Sequence, residues 1–162
     1  RAMQDGDLTY SISADPASGD VIRSGVREWD DALASVTLTE RSPGARVDIA
    51  ISFTEDVGRT EGQAVTSFTQ RELIRKVEIT ITGGRAPGNT GGLLQIAKHE
   101  FGHALGLGHT NYEGNLMSPA VSPDPQPVPP CVVQGVIEAN RWKMMAPVGK
   151  RPIPPRVSQV TC

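Results

Sequence analysis

Apolar and polar residues alternate at period two over residues 8–13, 36–40, 47–53, 63–69 and 76–82. Each run is rich in the β-branched and aromatic residues that suit a pleated surface, so the alternation predicts five strands. After the turn-like stretch 15–19, Val21, Ile22, Gly25, Val26, Trp29, Ala32 and Leu33 recur at helical spacing, with Trp29 as the large anchor. Arg23, Arg27, Glu28, Asp30 and Asp31 fall away from that stripe and read as a solvated face. Leu94, Ile96, Ala97, Phe101 and Leu105 mark a second helix over 91–105, for which Asn89 or Thr90 is a candidate cap. Val132, Val133, Val136, Ile137, Asn140 and Trp142 mark a third over 131–143. A β-α-β-β opening points to a twisted, mostly parallel sheet with helices packed on it, an α/β (α+β) fold.

The 162 residues fit one domain large enough to bury a core, with residues 146–162 set apart as a proline-rich tail of extended, polyproline character. A formal net charge of −2 supplies no basic field for nucleic acid, and no apolar run is long enough to span a bilayer. The opening Arg1-Ala2-Met3-Gln4-Asp5 has no apolar signal-peptide core, as expected of a mature or trimmed chain. Cys131 and Cys162 are read first as a disulfide that ties the tail back and points to an oxidising, extracellular compartment. Free thiols, or one thiolate on a metal, are the alternatives.

The chemistry concentrates in His99-Glu100-Phe101-Gly102-His103-Ala104-Leu105-Gly106-Leu107-Gly108-His109. On a helix His99 and His103 stand one turn apart on one face and can grip the same ion. Gly106 can take a positive φ, so the chain can leave the helix there and return His109 as a third ligand. Three histidines leave one position open, the arrangement of a catalytic zinc rather than a structural one. Glu100 then stands where a general base for the water in that position is needed.

This HExxHxxGxxH pattern, followed by Met117, resembles the metzincin zinc metallopeptidases. Within them Asn115-Leu116-Met117-Ser118-Pro119 is most similar to the Met-turn of the matrixins, the matrix metalloproteinases. The resemblance implies a five-stranded mixed sheet with three helices, and a zinc cleft between upper and lower subdomains. Residues 1–145 would be the catalytic domain of a secreted, monomeric zinc endopeptidase acting on protein or peptide substrates. It places Met117 as an apolar floor beneath the ligands, Gln95, Leu116, Ser118, Pro119 and Ala120 around the pocket for the side chain after the scissile bond, and Ala64, Val65 and Thr66 on an antiparallel edge strand that receives an extended substrate.

The chain also departs from that family. The loop between its third and fourth strands is short and no histidine is left over, so a single catalytic zinc is expected. Calcium is supported by no motif, although Glu55, Asp56 and the 83–89 loop offer oxygens. The last helix lacks the aspartate pair that in matrixins holds the mature N-terminus. Two other functions stay open: a zinc-containing module that binds peptides without cutting them, and a latent peptidase silenced by the tail or a thiol.

Overall fold

The computed structural model describes residues 6–56, 61–68, 74–83, 90–122 and 124–144. Five strands, β1 (Asp7–Ser13), β2 (Thr37–Glu40), β3 (Ile49–Glu55), β4 (Glu61–Phe68) and β5 (Ile74–Gly83), form one sheet in the order β2-β1-β3-β5-β4. All neighbours are parallel except β4, which runs antiparallel to β5 along one edge. Among the described residues three helices complete the fold: α1 (Pro16–Ala32), α2 (Thr90–Ala104) and α3 (Pro130–Met144). This is the α/β architecture expected from the alternation and the resemblance.

The period-two pattern buries Leu8, Tyr10 and Ile12 of β1, Ile49 and Ile51 of β3, and Val77, Ile79 and Ile81 of β5. Against them pack Ile22, Val26 and Trp29 of α1 and Phe101 of α2, so sheet and helices share one core. Trp29 is fully buried, and its indole Nε1–H donates to the Lys98 carbonyl at 3.0 Å, which locks α1 onto α2. Gly25 makes room for that crossing: a Cβ there would stand 3.2 Å from Lys98 Cγ and 3.5 Å from Leu94 Cδ1.

Three expectations need correcting. The stretch 15–19 is not a turn, because α1 already begins at Pro16. The Asp15 carboxylate accepts from the Ala17 and Ser18 amides at 3.1 and 3.2 Å, and proline at the first helical position gives up a donor that would have gone unpaired. Nor is the polar face of α1 simply solvated. Asp30 Oδ1 accepts from the Leu38 amide at 2.7 Å, Arg23 grips Glu40 at 2.8 and 2.9 Å, and Glu28 bonds Lys98. These side chains meet β2 and α2 across the helix edge, partners that helical spacing cannot disclose. Pairing in β3 starts at Ile49 rather than at Val47. The expected ends at Thr69 and Asn89, and the whole of the 146–162 tail, lie outside the described residues.

Candidate metal centre

Helix α2 carries the first two histidines and then stops within one turn. Gly106 adopts φ +100°, its amide donates to the His103 carbonyl at 2.9 Å, and the Leu107 amide donates to the Gly102 carbonyl at 3.1 Å. This pair of bonds is a Schellman ending, in which the left-handed residue is best a glycine. The reversal places the Leu107 carbonyl 2.8 Å from Nδ1 of His103. Nδ1 of His99 lies 2.7 Å from the Leu116 carbonyl. A carbonyl can only accept, so both Nδ1 atoms carry the proton and both Nε2 atoms present a lone pair.

Those Nε2 atoms converge. His103 Nε2 is 3.0 Å from that of His99 and 3.2 Å from that of His109, and the ligand-capable atoms of all three lie within 4.8 Å of one another. His99 is buried, His103 half-buried and His109 exposed, so the cluster opens to solvent on the side of the third histidine. Burial holds the His99 pKa down at about 4, with the neighbouring histidines adding to the effect, and burial also lowers that of His103. Both are therefore neutral imidazoles at physiological pH, the form that binds a metal. The donor set suits zinc.

The turn 115–118 holds the first and third histidines together. Asn115 shapes it, its Oδ1 accepting from the Met117 amide and its carbonyl from the Ser118 amide, both at 2.9 Å. The Leu116 carbonyl meets His99, and the Met117 carbonyl accepts from the amide of Thr110, next to His109, at 2.9 Å. Met117 itself is buried, its sulfur pressed on Gly102 so closely that a Cβ there would fall 2.5 Å from it. From the far side Asn140 of α3 donates to the Leu105 carbonyl at 2.8 Å, satisfying the end of α2.

Glu100 is buried under the edge strand. Burial raises its pKa to about 7, offset in part by a hydrogen bond from the Ala64 amide, and its Oε2 has no hydrogen-bond partner among the described residues. Strand β4 comes this close because position 62 is glycine: a Cβ there would lie 2.6 Å from Glu100 Cγ and Oε1.

The remaining expected site residues divide. Ala64 and Thr66 are half-buried on β4 and Val65 is half-exposed, although the Ala64 amide is already engaged by Glu100. Gln95, Leu116 and Ser118 are buried, and Gln95 Oε1 has no partner among the described residues. Pro119 and Ala120 are exposed. Cys131 is not a free thiol, while Cys162 lies outside the described residues. Glu55 and Asp56 are exposed, and residues 84–89 of the other oxygen-rich loop lie outside the described residues.

The matrixin family model matches residues 76–129, the stretch holding all three histidines and Met117. Stromelysin-3 of Rattus norvegicus is 34% identical over 131 residues, covering 70% of this chain and 26% of that protein. The chain is metzincin-like and resembles the matrixins across the stretch that carries its histidines. A hatching enzyme of Paracentrotus lividus is 31% identical over 121 residues, covering 70% of this matrixin-like chain and 20% of the enzyme. The chain thus spans about a quarter of the length of the curated relatives it matches. Among solved structures, myroilysin shares 21% identity with a TM-score of 0.43 over 64% of this chain and 48% of that one. No helix of the described residues is long and apolar enough to cross a membrane.

Sequence spacing pointed to the three histidines, which the structure brings together, and to Glu100, Gly106 and Met117, but it gave no sign of the close packing at Gly62 and Gly102 or of the buried Lys98. Gly102 and Lys98 lie within or beside the motif, at positions where it specifies nothing. Gly62 is separated from Glu100 by more than thirty residues and carries no local signal.

Proposed function

We propose that this chain is a zinc endopeptidase that hydrolyses peptide bonds in extended protein or peptide substrates, with one catalytic zinc held by His99, His103 and His109. The observation that carries the reading is the convergence of three imidazole Nε2 atoms, with the Nδ1 atoms of His99 and His103 tied to carbonyls, beside a buried carboxylate with one oxygen unpartnered among the described residues. When bound, zinc would supply Lewis acidity toward the scissile carbonyl and lower the pKa of a water toward ~7. Glu100 takes the proton from the attacking water and later delivers it to the leaving amine. Its pKa near 7 suits a group that must do both. The Ala64 amide keeps the Glu100 carboxylate turned toward the edge strand, and β4, lying at the sheet edge, aligns the substrate backbone.

Leu116, Gln95 and residues 118–120 line the primed-side pocket, with Met117 as a floor under the histidines. We further propose that residues 1–145 form the catalytic domain of a secreted monomer, and that a Cys131–Cys162 disulfide ties back the 146–162 tail. Closing that loop would stabilise the fold by ~3–4 kcal/mol.

The test is Glu100→Gln. Cleavage of a mixed peptide library falls about 10²–10⁴-fold while the variant keeps its zinc, as measured by metal analysis. Persistent cleavage would remove Glu100 from the mechanism. Zinc binding by the wild type without any cleavage would favour a peptide-binding module, and a rate increase on deleting 146–162 would favour a latent enzyme.

A further inference from the structure

Lys98 immediately precedes the first histidine of the cluster, yet its side chain is fully buried. Its stem crosses Gly25 of α1, and its Nζ donates to Glu28 Oε2 at 2.8 Å and to the Gln126 carbonyl. An ammonium removed from water persists only when paired and hydrogen bonded, and an apolar side chain of that size would fill the same space at lower cost. What the charge adds is the capture of one particular carbonyl. Gln126 stands between Pro125 and Pro127 in the segment 119–130, where six residues are proline. Proline has no amide hydrogen, so this segment has few backbone donors to offer a sheet or helix, and side-chain ties weigh more in holding it. The same turn of α2 anchors its beginning, because His99 Nδ1 bonds the Leu116 carbonyl. Consecutive residues 98 and 99 therefore close the loop 116–126 at both ends.

We propose that Lys98 is a positioning residue for substrate selection. By tethering Gln126 it fixes the wall formed by residues 118–120, and so governs which side chain is accepted just after the scissile bond. Glu28 supplies the counter-charge that keeps the ammonium in place. The proposal rests on the peptidase reading given above and adds a determinant to it.

Lys98→Met and Glu28→Gln, made in the full chain and loaded with zinc, test it through three measurements: metal content, amide exchange of residues 118–128, and cleavage of peptides varied at the position after the cut. Both variants keep their zinc, exchange in 118–128 accelerates about tenfold, and selectivity at that position falls about tenfold, mainly through KM, with kcat for the best peptide within about twofold. Faster exchange with unchanged selectivity would make Lys98 a structural clamp only and overturn the proposal, as would unchanged exchange. If Lys98→Met does not fold, Glu28→Gln decides, since Glu28 is partly exposed and the amide keeps its shape. A wild-type chain that holds zinc and cuts no peptide would refute the peptidase reading instead, and exchange would still report whether the tether exists.

Discussion

A single methyl group at position 62 would stand 2.6 Å from Glu100 Cγ and 2.7 Å from Ile96 Cγ2, well inside contact distance. Gly62→Ala therefore forces Glu100 off its bond to the Ala64 amide, because a carboxylate side chain gives way more readily than a paired strand. The overpacking costs about 1–3 kcal/mol of stability. If Glu100 is the general base, the rate falls tenfold or more while zinc content is unchanged, as steady-state kinetics and metal analysis on the same preparation would show. Unaltered kinetics in a folded variant would mean that the edge strand does not position Glu100. At this scale the sequence disclosed residues whose chemistry is distinctive, namely imidazoles, a carboxylate and a glycine that ends a helix. It did not disclose Gly62 or Gly102, because the absence of a side chain becomes a requirement only when another segment is pressed against it.

Between elements, β1, β2 and α1 meet at Tyr10, Glu40 and Arg23. Burial first, then the adjacent Glu40 carboxylate, pushes the Tyr10 phenol up to about 12. The folded state thus keeps a proton that the unfolded chain gives up near pH 10. The stability this neutral phenol contributes is complete below pH 10 and is lost as pH rises from about 10 to 12. Tyr10→Phe removes that part of the alkaline decline, which denaturant titrations of both proteins would reveal as a wild-type stability that falls between about pH 10 and 12 more steeply than the variant's. The order and type of the elements were readable because period-two and helical stripes are local properties. The true start of α1 was obscured because Asp15-Pro16 serves equally well in a turn or a helix cap, and the outcome depended on the carboxylate reaching the Ala17 and Ser18 amides.

The whole molecule brings the ligands together from a helix, the reversal after it and the turn 115–118, which pins the reversal to the helix. A metal that binds only this assembled set must stabilise the folded chain. At free zinc of 100 times Kd the gain is about 2.7 kcal/mol, or roughly 5–10 °C in Tm for a domain of this size. Calorimetry before and after chelation checks it; identical unfolding temperatures would rule out the three-histidine site. The pH for such a comparison is best held near neutral, where buried His99 stays unprotonated.

The sequence by itself determined the strands and helices, the histidine face of α2, the exit at Gly106 and the likeness to matrixins. Each follows from residues within a few positions of one another, where backbone geometry alone converts spacing into direction. Only the tertiary structure decided which carbonyl fixes each imidazole, how near β4 comes to Glu100, and that Lys98 points inward to Glu28 and Gln126. Those contacts join segments far apart in the chain, so packing of the shared core sets them, and no local pattern encodes them.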